Sequence, residues 1–267
     1  MKRKVSLLTA LIMLCSLLTV GCNRVPTAQE LVDNAFASMS QDKADITMEM
    51  YMEMSAEADF LGETVTMDVT MGVNADMQTT KEVSHISGDV EMEMFGMTID
   101  QPMDVYTDMT DGVMYSLTED VWYKENVDNG SQPTADELEA VRSDSFVDLV
   151  LVEEEEGKES TEWVVTGLLD YSKLMEVMGE DLLSSLDSGV NTEALAELQL
   201  QVVMTFDKET QALKTMSCTC DEENLSKFEI SGGSIDVLEF SFTFRDASDL
   251  VIEIPAEVKE SAVENTL

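Results

Sequence analysis

The chain has 267 residues, with 15 Lys and Arg against 55 Asp and Glu, for a formal charge of −40. Such an acidic surface excludes nucleic acid as a partner, because phosphates need a basic surface, and it opposes adhesion to anionic lipid headgroups. A hydrophobic content of 44% supplies a core and excludes the disorder that strong charge otherwise favours.

The first residues form an address. Met1-Lys2-Arg3-Lys4 is a basic start, Val5 to Val20 is an apolar run, and Gly21-Cys22 follows. The run is too short for a comfortable bilayer span and has the length of a signal-peptide core. Thr19-Val20-Gly21-Cys22 resembles a bacterial lipobox, which implies removal of residues 1–21 and lipidation of Cys22. Residues 22–26 are then the lipidated cysteine and a short tether. The expected location is the cell membrane, with the protein lipid-anchored and facing outside the cytoplasm. The acidic surface is expected to stand off an anionic bilayer on that tether.

Beyond the tether, Thr27-Ala28-Gln29-Glu30 has the form of a capping box. Ala28, Leu31, Val32, Ala35, Phe36 and Met39 then recur at helical spacing. The period next changes to two. Met48, Met50, Met52 and Met54 alternate with polar residues, as do Val65, Met67, Val69, Met71, Val73, Ala75 and Met77, and then Ile86, Val90, Met92 and Met94. These runs predict long strands with one apolar and one polar face. Shorter strands are expected at 97–108, 111–118 and 120–126. Pro133 and the capping box Thr134–Glu137 open an expected helix through Leu138, Val141, Phe146 and Leu149. A strand over 162–168 and a helix from Asp170 to Leu186 follow. Alternation resumes from Leu198 to Phe206, Asp207-Lys208-Glu209-Thr210-Gln211 reads as a hairpin connection, and strands are expected near 212–221, 225–231 and 234–246.

About eleven strands and three sizeable helices, with no dividing linker, predict an α+β fold. Its centre is a single curved antiparallel sheet, an unclosed half-barrel, with the N-terminal helix and two mid-chain helices on the concave face. The domain is expected over 27–258, with a polar tail over 259–267. Strands of about 14–16 residues exceed the usual length and require strong twist. Their apolar face is longer than three helices cover, and an uncovered concave apolar face suits a hydrophobic ligand.

The order of lipobox, N-terminal helix, long meander, mid-chain helices, strand–Asp207-Lys208-Glu209-Thr210–strand and closing Ile254-Pro255 resembles LolA/LppX-type proteins. It is similar also to acidic lipoproteins of gram-positive bacteria with that architecture, which share short phrases such as Trp122-Tyr123-Lys124. The resemblance implies a half-barrel plugged by helices that carries lipids or the acyl chains of lipoproteins.

Fourteen of the 20 methionines lie between Met39 and Met114. Three readings stand for them: core packing, the lining of a pocket for varied lipid chains, and a soft-metal array using Met48, Met50, Met52 and Met54. The expected lining is Met48, Met50, Met52, Met54, Val65, Met67, Val69, Met71, Val90, Met92 and Met94, with no metal and no cofactor. A surface scaffold or sensor that binds an unknown protein partner is the other class of function. Cys218 and Cys220 share a strand face, where adjacent thiols are poorly placed to pair, so unpaired thiols are expected. His85 falls on the polar face and is expected at the surface. G-x-S-x-G, HExxH, P-loop and G-x-G-x-x-G motifs are absent from the sequence, and the expectation is a protein that is not an enzyme.

Overall fold

The computed structural model describes residues 25–39, 43–60, 63–127, 143–152, 160–170, 199–226, 229–230 and 233–264. Helix α1 (Ala28–Met39) leads into strands β1 (Lys43–Phe60), β2 (Glu63–Thr80), β3 (Val83–Met94) and β4 (Met97–Asp108). Then come β5 (Val113–Thr118), β6 (Val121–Asn126), β7 (Phe146–Leu151), β8 (Glu162–Asp170), β9 (Gln199–Asp207) and β10 (Leu213–Thr219). The short helix α2 (Glu222–Leu225), β11 (Glu229–Ile230), β12 (Gly233–Phe244), helix α3 (Ala256–Ser261) and β13 (Val263–Glu264) complete the described elements.

The capping box at the start of α1 forms in both directions. The Thr27 backbone N–H donates to Glu30 Oε2 at 2.9 Å, and the Glu30 N–H donates to Thr27 Oγ1 at 3.2 Å. This satisfies N–H groups that a helix start leaves without partners. The apolar stripe Ala28, Leu31, Val32, Ala35 and Phe36 is then buried as one face.

All thirteen described strands belong to one sheet, ordered β13-β6-β5-β4-β3-β2-β1-β12-β10-β9-β8-β7, with β11 paired to β12 off that path. The ends of the order, β13 and β7, are not hydrogen-bonded to each other, so the sheet is an unclosed half-barrel. The first hairpin lies mid-sheet because β1 pairs with both β2 and β12. Strands β1 and β2 each have 18 residues, and at that length a sheet coils. The sheet is antiparallel except for the two-residue parallel pair between β13 and β6.

The described part differs from the sequence expectation in five places. Phe146 and Leu149, read as the end of a helix, lie in β7, which pairs with β8. The β-branched Val147 and Val150 favour that edge strand, and Phe146 packs against Phe36 with ring centroids 6.1 Å apart. The strand expected over 225–231 shrinks to β11, because Asp221 caps the Asn224 N–H at 2.8 Å and starts α2 instead. β7 and β13 are the two strands beyond the expected eleven. Beyond Ile254-Pro255 the chain adds α3 and β13. Asp170, read as the cap of a helix, ends β8 instead, paired with Gln199. Residues 128–142 and 171–198, which hold the rest of the two expected mid-chain helices except the end at 143–149, lie outside the described residues.

The core sits at one end of the inner face. Helix α1 packs there over β7 to β10 and β12, with Leu31, Val32, Val165, Val202, Met204 and Phe206 at the centre. In β9 the burial alternates strictly, with Leu200, Val202, Met204 and Phe206 buried and Gln201 and Val203 exposed.

Candidate functional site

The apolar face continues from this core across the long strands. Residues directly opposite each other in adjacent strands project to the same side, so the pairing register defines rows across the sheet. Phe242, Met48, Ala75, Gly88 and Met103 form one row. Phe240, Met50, Val73, Val90 and Gln101 form the next. Leu238, Met52, Met71, Met92 and Ile99 form a third. Ile235, Met54, Val69, Met94 and Met97 form a fourth. Met52, Met54, Leu238 and Phe240 touch the α1 core, which shows that these rows and the helix lie on the same face.

The register therefore brings together nine of the residues expected to line a site: Met48, Met50, Met52, Met54, Val69, Met71, Val90, Met92 and Met94. Each is half-buried, whereas the α1 end of the same face is sealed. Met67 and Val65 lie elsewhere. They pair with Ala56 and Ala58 near the β1–β2 tip, beyond the last β2–β3 pair at Val69 and Met94. Met67 is half-buried there. Met48, Met50, Met52 and Met54 run along one strand of this face, so they form a line of thioethers and not an exposed knot. Cys22 lies outside the described residues.

The two described thiols belong to the core. Cys218 is buried opposite Phe240 and Val202, and burial pushes its thiol up to about 12. Cys218 forms no disulfide, and Cys220 Sγ donates to the Gln199 carbonyl at 3.9 Å. Among the described residues no three His, Cys, Asp or Glu side chains gather as a metal site.

The opposite face is polar around β1 and β2. Arg245 Nη2 lies 2.7 Å from both Asp45 Oδ1 and Asp76 Oδ1. The Asp76 carboxyl is held below the usual range by the hydrogen bond from Thr47 at 2.6 Å and then by Arg245. Near β4 to β6 this face changes character. His85 Nε2–H donates to Asp104 Oδ1 (2.9 Å), the ring stacks on Tyr106, and the side chain is only 19% exposed. Tyr106 also meets Trp122 at 5.9 Å. His85 thus lies on the polar outer face as expected, but half-buried in a packed cluster. Periodicity missed this group because His85, Tyr106 and Trp122 come together only through the register of separate strands.

No family model matches the chain, and no curated protein matches its sequence. Solved structures do resemble it. The chain is similar to LprF from Mycobacterium bovis. That structure aligns at 12% identity over 86% of this chain and 97% of LprF, with a TM-score of 0.46. A LolA-superfamily protein from Nitrosomonas europaea aligns at 10% identity over 84% of this chain and 96% of its own, with a TM-score of 0.23. An outer membrane lipoprotein-sorting protein domain from Vibrio parahaemolyticus aligns at 9% identity over 85% and 93%, with a TM-score of 0.18.

Proposed function

We propose that the chain is a lipid-anchored extracytoplasmic protein that holds a hydrophobic ligand, a lipid or acyl chain, against the methionine-bearing inner face of its half-barrel. One observation carries this reading. Four rows, apolar except for Gln101, cross β12 to β4, and their methionines other than the exposed Met97 are half-buried, while among the described residues α1 seals the other end. An apolar face of that extent left open to water is unfavourable unless something covers it. An acyl chain would gain about 0.8 kcal/mol for each CH₂ it buries there. Flexible thioethers conform to chains of different length and kink, and they offer no polar specificity. The lipobox-like Thr19–Cys22 supports the anchor, with Cys22 as the acylated residue and the membrane as the surface that holds the protein.

Native mass spectrometry of the protein extracted from its own membrane tests the reading. The expected result is a second mass, of lipid size, that is lost when Met71→Glu places a carboxylate in the middle of the third row. A ligand-free mass would overturn it and leave the surface-scaffold class, with a protein partner on the acidic outer face.

A further inference from the structure

The fold sorts its oxidisable sulfur. Cys218 is buried in the α1 core, and burial pushes its thiol up to about 12, which keeps it protonated and poorly reactive. A thioether has no proton to lose, so exposure decides whether an oxidant reaches it. Met204 is fully buried beside Val165, Val202 and Phe206. The open face differs. Where the third and fourth rows cross β1 to β4, six of the eight positions are methionine: Met52, Met71, Met92, Met54, Met94 and Met97. The first five of these are half-buried and Met97 is 61% exposed. Strand propensity does not explain the choice, because branched and aromatic residues suit strands better and the sealed core uses them.

Met71 is the centre of this group. It lies directly opposite Met52 on one side and Met92 on the other, so three thioethers stand side by side across β1, β2 and β3. Adding one oxygen there changes the face, because a sulfoxide is a polar acceptor on a side chain that was apolar. That acceptor needs a donor. The backbone N–H groups of β2 are engaged in the ladders to β1 and β3. Gln101, the one side chain of the four rows with a donor, lies two strands from Met71 at the end of the second row. Among the described residues of these rows, then, none supplies a donor to a Met71 sulfoxide. Water must supply it, and an acyl chain laid over the row would exclude that water.

We infer that Met52, Met71 and Met92 form an oxidation site whose modification closes the inner face to acyl chains. The inference rests on the ligand reading above. The oxidant is a peroxide. A lone pair on Sδ attacks one peroxide oxygen, the O–O bond breaks, and the departing hydroxide takes the proton from the transferred oxygen. The thioether is oxidised to a sulfoxide, and hydrogen peroxide is reduced to water. A chain already bound covers the sulfurs, so occupancy and oxidation oppose each other. Ligand protects the row, and sulfoxide keeps ligand off it. Sulfoxides are reversible, so reduction reopens the face.

The test uses the full chain freed of non-covalent lipid, with monoolein as the probe, because its uncharged headgroup is not repelled by the acidic protein. Hydrogen peroxide is added, and peptide mass spectrometry locates the added oxygen. Met52, Met71 and Met92 are expected to oxidise well before Met204. Monoolein affinity, followed by native mass spectrometry, is expected to fall about tenfold, the loss that one buried polar group without a partner produces. Treatment with methionine sulfoxide reductases of both epimer specificities is expected to restore it. Protein loaded with monoolein before the peroxide is expected to keep the row reduced. The combined variant Met52→Leu, Met71→Leu and Met92→Leu keeps the row apolar and close in volume, so it is expected to bind monoolein equally with and without peroxide. Met71→Leu alone is expected to lessen the loss, and it guards against a folding defect in the combined variant. Binding that survives sulfoxides across the row overturns the inference. So does a loss that the leucine variants share in full, or oxidation of Met204 at the rate of Met71. Untreated protein that takes up no monoolein overturns the ligand reading itself and the inference with it, so the two failures are told apart.

Discussion

The imidazole of His85 lies flat on the phenol ring of Tyr106, with ring centroids 4.0 Å apart and planes 6° from parallel. The two are cross-strand partners on β3 and β4, and Asp104 holds the imidazole from the side. Burial, then the nearby Asp104 and Glu257, raises the Tyr106 hydroxyl above its ordinary value. The outer face is therefore packed here, under the segment that includes α3.

A double-mutant cycle on this pair is the first prediction. His85→Ala and Tyr106→Ala are each expected to destabilise the fold, with a coupling of about 0.5–1.5 kcal/mol between them. Urea unfolding of the four chains measures it. Additive losses would mean that the stacking contributes nothing.

Acid should loosen the C-terminal segment. Asp108 is buried, which alone raises its pKa, but the Asp111 N–H, the Lys259 ammonium at 3.2 Å and the Thr110 N–H outweigh burial and hold the carboxyl below its usual range. A carboxyl depressed in the folded state stabilises it fully above the unfolded value of about 3.9. That contribution fades as pH falls through the lower folded value. Hydrogen exchange in α3 and β13 is expected to speed up below about pH 4. Lys259→Ala is expected to produce part of that acceleration already at pH 7. Exchange in α3 that is indifferent to both changes would show that the Asp108–Lys259 contact does not hold the segment.

Two glycines in the long strands should respond oppositely to alanine. A Cβ on Gly88 would run into the Asn74 carbonyl and the Ala75 Cα of the neighbouring strand, and backbone cannot step aside. Gly88→Ala is expected to cost about 1–3 kcal/mol. A Cβ on Gly72 meets nothing within 4 Å, so Gly72→Ala is expected to be neutral or to stabilise by about 0.5–1 kcal/mol. Thermal unfolding of both variants gives the comparison. Equal effects would show that the β2–β3 approach is no closer at Gly88 than at Gly72.

The contrast between these faces is partly legible in the sequence. Strict alternation at Met48–Met54 and Val65–Met77 places every second residue on one side, which determines both the long strands and the inner face. Thr27 and Glu30 announce α1 because a capping box is a contact within four residues. The hairpin after β9 was legible for the same reason, since Asp207 Oδ1 accepts from the N–H groups of Glu209 and Thr210 only two and three residues on. Phe146 and Leu149 misled because their spacing fits a helix until β8 offers a partner. His85, Tyr106 and Trp122 were illegible because their contact depends on the registers of four hairpin-linked strands, β3 to β6.

The difference between a sealed core and an open face has its own consequence for stability. Met204 is fully buried under α1 among Val165, Val202 and Phe206, and truncating it leaves a hole that its neighbours cannot fill. Met204→Ala is expected to cost about 2–5 kcal/mol, the range for a large buried side chain. Met50 lies on the same apolar face but is half-buried, so its truncation forfeits less burial and opens no closed cavity. Met50→Ala is expected to cost about 1 kcal/mol or less in ligand-free protein, scaled down from full burial of such a side chain. With a bound acyl chain the gap should narrow, because the ligand then packs over Met50 and its loss weakens binding as well as folding. Guanidinium unfolding before and after delipidation measures both differences. Equal losses at Met204 and Met50 in delipidated protein would mean that the protein itself seals the inner face, and the ligand reading would fall with that result.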